Sequence, residues 1–272
     1  MGGEHIEQGG SRKVSIFGTK SLVSSGLFRF SWSAAVRTLI ALLALFSIAW
    51  VASSVPSYLA EQDLSESARR ILTGESYGDR QLSSLRARVD GICLNCVRSL
   101  AFNDLVVIRL KLAESKFSET SADLATTADA ALARFPAGSF LWLVKYWLQR
   151  QSAAGGISSR DLSMLRQAYQ LGPNEGWIAV RRSPLVLSSF NSLPLDLQGR
   201  ALAEFADLVR GGLYLDAANI LVGPGWAVRE QLMNRIALVP DGDRVTFAKI
   251  LRSRGLDEIT VPSVSDKPAR PF

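Results

Sequence analysis

The chain has 272 residues, 47% of them hydrophobic and 21% charged, a balance that folds around a core instead of staying disordered. Its 31 basic and 25 acidic side chains leave a formal charge of +6, with five cations (Arg12, Lys13, Lys20, Arg29, Arg37) against Glu4 and Glu7 before residue 56 and near balance after it. That distribution argues against a nucleic-acid reader, which concentrates basic charge on its folded face, and a lone histidine, His5, excludes Ser-His-Asp and Cys-His catalysis in everything beyond the N-terminal tail.

Residues 1–31 lack an apolar period and read as a disordered basic tail. Thr38 to Val55, TLIALLALFSIAWVASSV, then runs eighteen residues without a charge. As a helix it covers about 27 Å, close to the hydrocarbon thickness of a bilayer. Trp32, Trp50 and Tyr58 stand where interfacial aromatics belong, and Pro56 is expected to stop the helix. A transmembrane helix over 32–56 follows, with the basic tail holding the N-terminus in the cytoplasm. A cleaved signal peptide is the alternative, since Ala52, Ser53 and Ser54 suit a peptidase; the long tail and long apolar run favour an anchor. Either way the remaining chain lies outside the cytoplasm, in the periplasm if the membrane is the bacterial inner one.

Residues 57–260 carry helical patterning throughout. SESARRIL, with Ser65 as its cap, and RQLSSLRARV predict two short helices separated by TGESYGD. After Cys93 and Cys96 comes an apolar helix; its Ile108–Leu112 alternation is too short to outweigh the helical flanks. Ser118 is placed to cap a helix reaching Arg134, with Ala122, Ala125, Ala128 and Ala131 offering a small face. Ser139 opens FLWLVKYWLQR, apolar nearly all round and therefore buried between neighbours. Further helices are expected from Ser159 to the Gly172-Pro173 stop, over NEGWIAVRR with a break at Pro184, and from Pro194 to Arg210. LYLDAANILV, WAVREQLMNRIAL and DRVTFAKILRSR, with Asp241 as a cap, complete an all-α domain, and residues 261–272 read as a disordered tail.

One phrase recurs. Ala131, Pro136 and Trp142 are echoed by Ala168, Pro173 and Trp177, with the prolines 37 residues apart. This resembles the tetratricopeptide repeat family, in which Ala, Pro and an aromatic mark the junction between repeats. The Leu-Gly-x-x-Tyr portion is missing, since Lys145 and Tyr146 stand in the place of Leu and Gly. The resemblance covers about residues 118–182 and implies an α-solenoid with a concave protein-binding face; an unrelated helical bundle with the same spacing is the alternative. The layout and the phrase Glu175-Gly176-Trp177-Ile178-Ala179-Val180-Arg181-Arg182 also resemble membrane-anchored helical-repeat proteins of bacterial envelope polysaccharide assembly.

Candidate residues divide between chemistry and packing. Cys93-Leu94-Asn95-Cys96 fits either a structural disulfide or a thiol–disulfide redox pair, because a helix N-terminus stabilises a thiolate. Neither a metal nor another cofactor is expected: zinc requires about four ligands, and haem attachment requires a His where Val97 stands. Trp142, Tyr146, Trp147, Trp177 and Trp226 offer platforms for sugar rings, or core. Arg181 and Arg182 suit an anionic partner or a solvated helix end, and Glu204 with Asp207, flanked by Arg200 and Arg210, reads as salt-laced surface. The expectation is a non-enzymatic, single-pass scaffold that binds other envelope proteins and possible polysaccharide, not nucleic acid, with its oligomeric state open.

Overall fold

A computed structural model of the chain describes residues 26–94, 101–152 and 155–264. All its regular structure is helical: α1 Gly26–Leu72, α2 Asp79–Asp90, α3 Ala101–Ser115, α4 Phe117–Arg134, α5 Ser139–Ser152 and α6 Ser159–Leu171. Then follow α7 Gly176–Leu187, α8 Leu195–Arg210, α9 Tyr214–Val222, α10 Arg229–Ile236 and α11 Asp241–Ser253, with 3-10 turns at Phe190–Ser192 and Trp226–Val228. No strand occurs among the described residues. The chain divides into two compact units, Met1–Leu59 and Ala60–Phe272. The expected tail over residues 1–25, Cys96, and residues 265–272 lie outside the described residues, as do the side chains of Trp32 and Tyr58.

Among the described residues of the first unit one helical stretch, Ala34–Val55, is long and apolar enough to cross a membrane, with a mean hydropathy of 2.1 and none of it buried by protein. Three of its four hydroxyls turn inward on the helix: Thr38 donates to the Ala34 carbonyl (2.9 Å), Ser47 to Leu43 (2.8 Å) and Ser53 to Trp50 (2.8 Å). These three hydroxyls are satisfied within the helix, as a hydrocarbon environment demands, and the one charged side chain of the stretch, Arg37, stands in its first turn. The expected stop at Pro56 does not occur; the helix continues through it. Proline removes one donor, leaving the Ala52 carbonyl without its i+4 partner, a defect that long helices absorb at a single position.

The second unit opens with the last turns of α1, where Ala68 and Ile71 enter the core. Ser65 is therefore mid-helix instead of a cap, and its hydroxyl donates to the Asp104 carboxylate on α3. Caps elsewhere shift by a residue or two: Lys116 precedes α4 in place of Ser118, and Pro240 precedes α11, putting Asp241 in its first turn. Ser158 caps α6, accepting from the Asp161 N–H (3.2 Å) while Asp161 accepts from the Ser158 N–H (2.9 Å). The break expected at Pro184 is also absent, and α7 runs on to Leu187. A mid-helix proline costs about 3 kcal/mol. One face of α7, with Ile178, Arg182, Val186 and Leu187 buried, holds the helix together across it.

Helices pack in sequence order: α3 on α4, α5 on α6, α7 on α8, with α4 also meeting α5 and α8 meeting α9. A second set of contacts skips one helix, joining α3 to α5, α5 to α7, and α7 to α9. The small face of α4 works as its residues suggest, since Ala128 and Ala131 are fully buried against neighbours. Within the expected tail, Val261 is buried and the Pro262 carbonyl accepts from Arg244 (2.8 Å).

Candidate functional site

The skipped-helix contacts align α3, α5 and α7 side by side, and their shared surface forms a groove of about 500 Å³. Its floor is Leu110 from α3, Phe140, Leu143 and Val144 from α5, and Val180 and Leu185 from α7. Each of these helices is apolar on more than one side, so burying the face toward its hairpin partner leaves a second apolar face for the groove. Trp147 walls one side, fixed edge-on to Phe117 at 5.7 Å and 71°. Two charges mark the rim: Arg181 stands 3.8 Å from Glu114 and donates to the Ile71 carbonyl (3.2 Å). Pro184 adds a further polar feature, because its missing N–H leaves the Val180 carbonyl in the groove wall without an i+4 partner.

Behind this groove lies a buried ionic lock. Arg182 is 0% exposed, and its Nε donates to Glu204 Oε2 (2.6 Å). Its other nitrogens reach the Ala168 carbonyl (2.7 Å) and the Gly172 carbonyl (3.1 Å), and the guanidinium lies 4.1 Å from the Tyr169 ring centroid. Ser183 donates to Glu204 Oε1 (2.8 Å). One side chain thus caps the C-terminus of α6, anchors α7 and pairs with α8. Burial pushes the Glu204 carboxyl above its usual range, against the pull of Arg182 and Ser183, and pushes the Tyr169 phenol well up.

The same device recurs along the groove helices. Arg109 of α3 is buried and donates to the Asp123 carbonyl (2.9 Å), to the Val89 carbonyl (3.3 Å) and to the Thr127 hydroxyl; burial lowers its pKa. Lys145 of α5 pairs with Asp129 of α4 at 2.7 Å. Positions 109, 145 and 182 lie 36 and 37 residues apart, matching the proline spacing. This signal is in the sequence, but it emerges only once each cation is seen to face a neighbouring helix.

The residues singled out from sequence scatter. Arg181 is at the groove rim, whereas Arg182, expected to meet solvent or an anion, is sealed inside with Glu204, which is core and not salt-laced surface. Asp207 does pair with Arg210 at the surface. Tyr146 is fully buried, and Trp142 is half-buried with its Nε1 donating to the Pro136 carbonyl (2.8 Å), so it closes the turn before α5. Trp177 keeps 43% of its surface exposed while stacking obliquely on Phe140 at 5.0 Å. Cys93 is exposed and disulfide-bonded. No cluster of His, Cys, Asp and Glu able to hold a metal occurs among the described residues. Sequence reasoning missed Glu114, Leu143, Val180 and Leu185 because nothing in their identity separates a groove residue from a core one.

Comparison with known protein families, with curated proteins and with solved structures finds no match for the chain.

Proposed function

We propose that the protein is a membrane-anchored scaffold whose groove over α3, α5 and α7 seats a segment of a partner protein. The observation that carries this reading is the groove itself: three helices, each the first of a hairpin, contribute in turn to one apolar surface. A stack of repeated hairpins produces such a concave face, in keeping with the tetratricopeptide-like spacing of Pro136 and Pro173. The rim charges of Glu114 and Arg181 and the freed Val180 carbonyl supply polar contacts that set the register of a bound segment. The apolar stretch Ala34–Val55 serves as the anchor in this reading, and the excess of cations before it supports a cytoplasmic N-terminus with the scaffold in the periplasm. Other envelope proteins, in polysaccharide synthesis or export, are the partners this layout suits. The reading is non-enzymatic.

Crosslinked pull-down from membranes of the full-length chain tests this against Val180→Glu and Leu185→Glu, two half-buried groove positions. The wild type should recover one stoichiometric envelope protein, and each variant should lose it by at least about tenfold while melting within a few degrees of wild type. Equal recovery by all three chains contradicts the groove reading.

A second reading, thiol–disulfide exchange through Cys93 and Cys96, is favoured by one observation, the exposure of the bonded Cys93. It requires that Cys93→Ser abolish function, a change the scaffold tolerates.

A further inference from the structure

A second concavity, of about 540 Å³, lies between Trp226 and the irregular segment Glu258–Pro262. Its composition is unlike that of the groove. Trp226 keeps 38% of its surface exposed, and around it stand Arg229, Glu230, Asn234, Glu258 and Thr260. The side chains of Glu230, Asn234 and Glu258 are exposed and have no hydrogen-bond or ion-pair partner among the described residues. Arg229 lies over one face of the indole, 4.9 Å from its centroid, donates to the Trp226 carbonyl (3.2 Å) and pairs with neither carboxylate.

Both walls are anchored to the core, although neither belongs to a long helix. The Trp226 wall follows the Gly223-Pro224-Gly225 turn, closed by Gly225 N–H donating to the Ile220 carbonyl (2.8 Å). A Cβ at Gly225 would fall 2.9 Å from that carbonyl and 2.9 Å from Leu232 Cδ1, so only glycine lets the turn pack this closely. The opposite wall is pinned by buried Val261 and by Arg244, a buried cation that donates to the Pro262 carbonyl. Anchored walls, an exposed indole, and acceptors and donors with no internal partner make a cleft that is polar and carries a slight negative charge.

We propose that this cleft binds a pyranose ring of a neutral oligosaccharide. The apolar C–H face of the sugar stacks on the Trp226 indole, the carboxylates of Glu230 and Glu258 accept from ring hydroxyls, and Asn234 both donates and accepts. With two carboxylates against one guanidinium, the cleft disfavours uronic acids. This site is independent of the groove and stands or falls separately from the scaffold reading.

Calorimetric titration of the full-length protein in lipid nanodiscs, which avoid sugar-headed detergents, uses cellohexaose, maltohexaose and the N-acetylglucosamine hexamer, with an oligogalacturonate as the acidic control. At least one neutral hexamer should bind more tightly than the acidic one. Trp226→Ala and, separately, Glu258→Ala should each weaken it by about tenfold, and Trp177→Ala should leave it unchanged. Glu258→Ala decides the matter if Trp226→Ala melts early, since its side chain is exposed. Failure of all three neutral probes at millimolar concentration, preference for the acidic one, or binding indifferent to Glu258 overturns the proposal.

Discussion

Removing the Glu204 carboxylate leaves the Arg182 guanidinium inside the second unit with its charge unbalanced and its carbonyl partners on α6 still in place. Breaking one side of a buried pair costs about 3–5 kcal/mol, much more than the pair contributes over an apolar replacement. Glu204→Ala should therefore lower the unfolding free energy by that amount in denaturant titrations of the full-length chain. The double change Arg182→Met with Glu204→Leu should restore most of it. A loss under about 1 kcal/mol in the single variant would show that water reaches the lock. Sequence could name Arg182 and Glu204 as charged but not as partners, because they lie 22 residues apart on different helices. Both look like surface in a window of one helix; the deciding fact, that α6 ends against them, is tertiary. Trp142 and Tyr146 were likewise legible as aromatics at helical spacing, and only packing shows that one closes a turn and the other is core.

At the scale of the element, the helices were legible where an apolar period met a good stop. The start of α6 at Ser159 and its stop before Gly172, and the burial of Phe140, Leu141, Leu143, Val144, Tyr146 and Leu148 in α5, follow from the chain directly. Pro56 and Pro184 misled for one reason. A proline removes a single bond, and a helix whose remaining residues bury a face, or which consists of long apolar stretches, outweighs that loss. Gly172 shows the opposite case, a small residue whose role is fixed by a neighbouring element. A Cβ there would lie 2.7 Å from the Ser139 Cβ and 2.8 Å from a Glu175 carboxylate oxygen, so the start of α5 and the end of α6 approach only over glycine. Gly172→Ala should destabilise by about 1–3 kcal/mol, read as a lower denaturation midpoint, and Ser139→Gly should recover part of the loss. An unchanged midpoint would mean that the α5–α6 junction yields without cost.

Across the whole molecule, fold class and a single long apolar helix were readable from composition and period, whereas the groove was not. A groove is a relation among helices 36 to 38 residues apart, visible beforehand only as the faint spacing of Pro136 and Pro173. The buried or paired cations at 109, 145 and 182 carry that period more regularly and tie each groove helix to a flanking one. The groove is thus backed by a repeated polar framework that holds its apolar floor in place. The central claim, that this floor is where a partner protein sits, is tested most directly by site-specific photocrosslinking in intact membranes. A photoreactive residue at Val180, Leu185 or Glu114 should give one shared adduct of a single mass, and the same residue at exposed Leu195 or Leu238 should give none. Adducts of equal yield from all five positions, or from Leu195 and Leu238 alone, would contradict it.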